Sequence, residues 1–322
     1  MLTGIIPTMT KTRFLAIPLL AATALLGLTA CGGDTVSTPS SAAASAADAV
    51  RIVVTYPVLG AVVSEVVGDA ADVTVLMPNG ADPHEWSPSA QDIETMQQAD
   101  LIIDNGLGLE GNLQDALTAA KSSGVSVFTV SDNIAIRKVK AGEGAELDDP
   151  DQAPGAEDPH LWMDPLTMKQ WVGPLVPALA AVGVDASANA ATVQAELDAL
   201  NLEVAGILDT VPADRRKLVT GHESLGYLAE RYGYELVGAV IPAITSQAQA
   251  SAGDLAALVA KIEVAGVPAI FTEIGTPAAT VEAIGNDTGA TVVELSTHTL
   301  PADGSYHSFM IDVSTKIADA LR

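Results

Sequence analysis

From Arg51 onward, short apolar runs alternate with longer amphipathic stretches. Ile52-Val53-Val54-Thr55 is a β-branched run of strand length, and the helix-like stretch after it reaches Val67, where Gly68 stops it. Val73-Thr74-Val75-Leu76 predicts a second strand, closed by Pro78-Asn79-Gly80. Ser87-Pro88-Ser89 opens a helix that runs through Gln98. Leu101 to Asp104 and Val125 to Val130 predict two more strands. Strands that look buried, separated by helices, are the pattern of a parallel α/β sheet.

The alternation then breaks. Residues 141–159 form an acidic stretch rich in Pro and Gly, which reads as a solvated surface loop or, alternatively, as a cation-collecting flap beside a site. From Asn189 to about Asp209 the period becomes helical, with Val193, Leu197, Leu200, Val204 and Leu208 on one stripe and no strand beside it. It reads as a connection between two lobes. Beyond it the α/β theme resumes, with strands at 217–220, 235–240, 269–272 and 291–295 and helices at 225–232, 254–265, 277–285 and 309–321.

The first thirty residues read differently. Lys11 and Arg13 precede an apolar run from Phe14 to Leu28, followed by Leu28-Thr29-Ala30-Cys31. A basic start, a short apolar core and small residues at the cut describe a secretory signal peptide. The alternative, a membrane anchor, needs about 20 apolar residues and is less well served by this run. The ending resembles a bacterial lipobox, which implies lipidation of Cys31 and an extracytoplasmic protein anchored to the bacterial cell membrane. The small polar residues that follow make a flexible tether. The chain thus divides into a signal peptide (1–30), lipidated Cys31 with a tether (31–50), a first α/β lobe (51–186), a connecting helix (187–210) and a second α/β lobe (211–322).

Composition narrows the function. The formal net charge is -25, and the two charges of residues 1–30 are both basic, so all the acid lies in the rest of the chain. A phosphate backbone would be repelled, which argues against nucleic acid as a partner. Cys31 is the only cysteine, so neither an internal disulfide nor a thiolate metal cluster is available. A metal site must be built from His, Asp or Glu.

The chain has five histidines: His84, His160, His222, His298 and His307. His84, His160, His222 and His298 all lie in loops that leave the carboxyl ends of strands, where open α/β sheets bind ligands. Asp82-Pro83-His84-Glu85-Trp86 and Asp158-Pro159-His160-Leu161-Trp162 repeat one context, Asp-Pro-His-x-Trp. The proline stiffens the approach to the imidazole. The Asp, the acid at Glu85 or the backbone can accept from the ring nitrogen that does not face a metal, and the Trp can shield one side. Imidazole suits Zn2+, Cu2+, Ni2+ and Fe2+. Four protein ligands close a zinc site, which favours carriage over catalysis. Its affinity should fall on acidification through roughly pH 6.5.

Three segments carry a family resemblance: the two Asp-Pro-His motifs, the second continuing Met163-Asp164-Pro165, and Val219-Thr220-Gly221-His222-Glu223-Ser224-Leu225-Gly226-Tyr227-Leu228. Together they resemble the landmarks of the metal-specific solute-binding proteins of ABC importers, the cluster 9 or cluster A-I family, over nearly everything from Arg51 to Arg322. The resemblance implies two α/β lobes joined by one long rigid helix, with a divalent ion held between them and delivered to a membrane permease. It implies ligands at His84, His160 and His222. The fourth family ligand is commonly an acid in the loop after the late strand of the second lobe; here His298 stands in that segment. An all-nitrogen set favours Zn2+ over Mn2+. Glu273 or Asp303 remains open as a replacement or companion for His298, which would favour manganese. The loop at 141–159 lacks the internal histidines that zinc members often carry. His307 matches no ligand position. The chain is expected to act as a monomer.

Enzyme classes fit the sequence less well. His222-x-Ser224-x-Gly226 resembles a degraded nucleophile elbow with His where Gly is expected, which would make Ser224 the nucleophile of a serine hydrolase with His298 as a late base. A zinc hydrolase lacks its His-Glu-x-x-His pair. A role in cell adhesion is compatible with a surface lipoprotein. The reading adopted is a carrier, not an enzyme.

Overall fold

A computed structural model describes residues 49–140, 143 and 154–322. The signal peptide, Cys31, nearly all of the tether and the middle of the acidic stretch lie outside the described residues. Among the described residues no helix is long and apolar enough to cross a membrane.

The first half runs β1 (Arg51–Val54), α1 (Pro57–Val67), β2 (Asp72–Val75), α2 (Ala90–Gln97), β3 (Leu101–Asp104), α3 (Gln114–Ser122), β4 (Ser126–Thr129) and α4 (Pro165–Ala181). Then comes the 22-residue α5 (Ser187–Leu208). The second half runs β5 (Lys217–Thr220), α6 (Gly226–Tyr232), β6 (Glu235–Ala239), α7 (Ala252–Ala265), β7 (Ala269–Thr272), α8 (Ala278–Thr288), β8 (Thr291–Glu294) and α9 (Tyr306–Leu321). Each half holds a four-stranded sheet, ordered β2-β1-β3-β4 and β6-β5-β7-β8, and all pairings are parallel. The predicted α/β class with two mostly parallel sheets is the one observed.

The sequence explains the layers. In β1, Ile52 and Val54 face one side and Val53 the other; in β7, Ala269 and Phe271 oppose Ile270. Residues two apart share a face, so each sheet presents apolar side chains both ways. The inward faces of both sheets join in one apolar core, which also takes the stripe of α5 (Val193, Leu197, Leu200, Val204, Leu208) and the buried side of α9 (Phe309, Val313, Ile317). Each sheet keeps a smaller core on its outer face. α5 packs against α1, α4 and α9.

Three features differ from the sequence reading. β2 and β8 are sheet edges and largely exposed, not buried. The helices α3 and α4 have no counterpart in it: α3 is mostly polar, and α4 carries Pro174 and Pro177 in its interior, where proline removes a donor and crowds the preceding turn. The described ends of the acidic stretch are solvated only in part: Pro154, Gly155 and Glu157 are exposed, whereas Ala156 and Asp158 are buried and Glu143 pairs with the buried Arg137.

Candidate metal centre

Both sheets aim their strand carboxyl ends at the same place. His84 follows β2, His160 follows β4 by way of the acidic stretch, His222 lies two residues past β5, and His298 follows β8. In each sheet the strand order reverses between the first and third strands, the crevice where α/β folds hold ligands. All four imidazoles are buried there, His160 and His222 completely and His84 the least, at 7% exposed.

The ring nitrogens converge. His160 Nε2 lies 3.3 Å from His84 Nε2 and 3.1 Å from His222 Nε2. His298 stacks on His222, with centroids 5.7 Å apart and ring planes 17° apart. Its buried Nε2 makes no hydrogen bond among the described residues. Two groupings of candidate ligand atoms result, His84 with His160 and His222, and His222 with Glu273 and His298. Nitrogens bound tetrahedrally at 2.0–2.1 Å stand about 3.3 Å apart. The two Nε2 spacings at His160 therefore match edges of a zinc-sized tetrahedron, and His298 joins through the second grouping.

The other ring nitrogens of His160, His222 and His298 face polar partners. Asp158 Oδ1 takes both the backbone N–H (3.0 Å) and Nδ1 (2.9 Å) of His160. His222 Nδ1 lies 2.8 Å from Glu273 Oε1, off the hydrogen-bond axis, while the same oxygen takes the His222 backbone N–H at 3.0 Å. His298 Nδ1 meets the Tyr56 hydroxyl at 3.0 Å. The two Asp-Pro-His motifs diverge at this level. Asp82 Oδ1 accepts from the His84 backbone rather than from its ring, and Asp82 Oδ2 takes the Ser246 hydroxyl at 2.7 Å. Trp162 is buried against His160 and His298 and donates to the Thr297 carbonyl, whereas Trp86 is half-buried and Glu85 is exposed.

Electrostatics follow from this burial. Desolvation, reinforced by the other imidazoles, pushes His84 well below the usual histidine range. Burial also lowers His160 against the opposing pull of Asp158, and drives His298 down to about 3. Burial works against protonated His222 too, but the Glu273 charge outweighs it and the net shift is upward. Burial raises Glu273, yet the adjacent His222, the charge interaction with His298 and the bond from Thr297 hold it well below the carboxylate range. Three neutral imidazoles and one that leans toward a proton make a lone-pair donor set.

The remaining candidates separate cleanly. Glu273 is buried beside the histidines, but both its oxygens are engaged: Oε1 by His222 N–H and Ser224, Oε2 by Ser224 and Thr297. Asp303 is exposed and binds Ser305 N–H and Ser308 near the start of α9. His307 is exposed and pairs with Glu203 at 2.9 Å. Ser224 is fully buried, and the Glu273 carboxylate that accepts its hydrogen is held well below its usual range and is a poor base, so the elbow-like motif presents no accessible nucleophile. The sequence reading missed Tyr56, Arg137, Ser246 and Thr297. Tyr56 carried a usable signal, since it too follows a strand's carboxyl end.

A family model described as "ZnuA: Zinc-uptake complex component A periplasmic" matches residues 52–320. The chain belongs to the ZnuA family. This is a family of substrate-binding proteins of ABC importers, not of enzymes. ZnuA-family relatives span different metals by name. The chain is 26% identical over 288 residues to "Manganese-binding lipoprotein MntA" of Halalkalibacterium halodurans, covering 88% of this chain and 89% of the relative. It is 32% identical over 213 residues to "Zinc-binding protein TroA" of Treponema pallidum, 65% of each. It is 27% identical over 311 residues to the manganese transporter lipoprotein PsaA of Streptococcus pneumoniae, covering 92% and 95%. Among solved structures, the periplasmic zinc-binding protein TroA aligns with a TM-score of 0.69 at 25% identity, over 85% of this chain and 99% of that one. A zinc-bound ZnuA deletion mutant aligns with a TM-score of 0.71 at 27% identity, over 85% and 98%.

Proposed function

We propose that this ZnuA-family protein captures Zn2+ with His84, His160, His222 and His298 and delivers it to the membrane permease of an ABC importer. The observation that carries the reading is the convergence of three Nε2 atoms at 3.1 and 3.3 Å beside the unpartnered Nε2 of His298. All four offer nitrogen, and the carboxylate grouped with His222 and His298, that of Glu273, is already bonded to His222, Ser224 and Thr297. A neutral, nitrogen-only set suits zinc better than manganese.

Two ligands come from loops of the first sheet and two from loops of the second, so the ion bridges lobes 51–186 and 211–322 across the helix 187–210. Lipidation at Cys31 would hold the protein, as a monomer, on the outer side of the cell membrane near its permease. The relatives named as lipoproteins support that location.

The test is competitive titration of the metal-stripped protein with zinc and manganese, beside His298→Ala, His298→Asp and His222→Ala. One-to-one zinc binding far tighter than manganese, weakened strongly by His298→Ala and His222→Ala, is the expected result. Tight manganese binding indifferent to His298 would overturn the zinc assignment, and wild-type zinc affinity in His222→Ala would overturn bridging.

A further inference from the structure

The acidic stretch at 141–159 supplies none of the four histidines, yet its last acid, Asp158, holds His160, and Arg137 ties Asp158 to Glu143 near the other end of the stretch. Arg137 is buried, its side chain 5% exposed, and four groups surround it. Its Nη1 donates to Asp158 Oδ2 at 3.1 Å, and Asp158 Oδ1 holds the ring and backbone nitrogens of His160. Its Nη2 bonds Glu143, a residue of the acidic stretch. Its Nε lies 3.4 Å from Glu230 on α6 of the second lobe. Its backbone N–H donates to the Tyr227 hydroxyl at 3.0 Å, and that hydroxyl in turn donates to the Asp158 carbonyl at 3.2 Å.

The pair is seated tightly. A side chain at Gly226, the first residue of α6, would strike both the Arg137 guanidinium and Asp158 Oδ2. The ion pair of the first lobe is thus pressed against the start of a helix of the second. A buried guanidinium without its partners would be costly, so its position and theirs are mutually fixed. Among the described residues, of the four histidines only His160 is held by an acid that itself depends on a cation: Asp82 is backed by Ser246, Glu273 by Ser224 and Thr297, and His298 by Tyr56.

We infer that Arg137 is a positioning residue for His160, and that through it the acidic stretch and the second lobe set how firmly the metal site holds its ion. The inference rests on the metal reading given above. Glu143 draws the guanidinium toward the acidic stretch, Glu230 draws it toward α6, and what remains on Asp158 fixes the plane of the His160 ring. Loss of the Glu143 contact would shift Arg137 and loosen His160.

The experiment compares wild type with Arg137→Met, Arg137→Lys and Glu143→Gln. It reads zinc affinity by chelator competition and ligand geometry by the visible spectrum of the Co2+-loaded protein. Arg137→Met is expected to lose about 10-fold or more in zinc affinity, the usual size of an outer-shell effect, and to change the Co2+ spectrum. Arg137→Lys should recover part of both, and Glu143→Gln should lose less in the same direction. Arg137→Met with zinc affinity within about twofold of wild type and an unaltered Co2+ spectrum would overturn the inference. Should Arg137→Met fail to fold, Glu143→Gln and Gly226→Ala carry the test, and wild-type behaviour in both would overturn it equally. A wild-type protein that takes up no zinc would instead refute the metal reading itself.

Discussion

The Tyr56 hydroxyl, at the end of β1 in the first lobe, lies 3.0 Å from Nδ1 of His298 in the second. The contact is buried, with Trp162 4.7 Å from the Tyr56 ring and 5.4 Å from that of His298, centroid to centroid. It sets which face of the imidazole looks into the cluster. Tyr56→Phe keeps the ring and removes only that partner. It should cost about 10-fold in zinc affinity, the lower end of outer-shell effects, with little change in the melting point of the metal-stripped protein. Chelator competition against wild type checks it.

Zinc and protons compete for His222. Its folded value is raised by Glu273 above the usual 6.5, whereas His84, His160 and His298 are lowered. Zinc affinity should therefore begin to weaken, on acidification, at or above about pH 6.5, with the midpoint of zinc loss lower where zinc is in excess. Glu273→Gln removes the charge that favours the imidazolium, so its midpoint should move to lower pH. Titration of zinc binding from pH 8 to pH 5 would decide this, and an unmoved midpoint in Glu273→Gln would count against His222 as the competing group.

Stability without metal should follow the same groups. For His84, His160 and His298 the unfolded chain binds protons below about 6.5 while the folded protein resists them, so stability falls as the pH drops below 6.5. Glu273 adds to this below its ordinary 4.5, because its folded value is depressed. His222 works the other way, contributing most below 6.5 and losing it as pH rises through its folded value. Glu110 and Glu223, pushed up to about 7 by burial, also gain as the pH falls from 7 toward 4.5, so these groups offset one another there, and the expected result is a melting temperature that changes modestly down to about pH 4.5 and declines below it as Glu273 takes up a proton. A profile still flat at about pH 3 would show that the Glu273 effect is not expressed.

Asp164 joins the lobes outside the histidine cluster. Its carboxylate accepts from Leu166 N–H and Thr167 at the start of α4, and takes Arg231 of α6 at 2.7 and 3.0 Å. Asp164→Ala removes a helix cap and the buried half of an ion pair, and should cost about 2–4 kcal/mol in chemical denaturation. Arg231 is more than a third exposed, so Arg231→Ala should cost less, about 1 kcal/mol.

The Ser246–Asp82 bond braces the most exposed ligand from the opposite lobe. Gly275, at φ +82°, lies so close that a Cβ there would stand 2.6 Å from Asp82 Oδ2 and 2.8 Å from Ser246 Cβ. Ser246→Ala should speed chelator-driven zinc release several-fold through the looser His84, and Gly275→Ala should do so more strongly while also destabilising the fold. Stopped-flow release rates separate the two.

The sequence disclosed the chemistry better than the framework around it. His84, His160, His222 and His298 could be picked out because each follows a strand and because histidine is scarce in this chain. Tyr56 stayed hidden because a tyrosine after a strand reads as core, and it is core as well as partner. Asp158 was visible as the acid of an Asp-Pro-His motif, but its dependence on Arg137, 21 residues earlier, is a tertiary fact with no local period. α4 escaped because Pro174 and Pro177 oppose local helix propensity, and the burial of Trp171, Val172, Leu175 and Leu179 overrides it. β2 and β8 looked buried because a run of β-branched residues is the same in a central strand and at an edge.

The apolar core that runs unbroken beneath both sheets has a practical consequence. Cutting the chain within α5 would not release two half-receptors. Each fragment would carry away a raw face of Leu, Val and Phe side chains meant for the other, together with two histidines and no counterpart to share an ion with. The pieces would aggregate before they could be tested. The smallest unit on which evolution or an engineer can act to alter metal choice is therefore the whole two-sheet body, retuned one loop at a time.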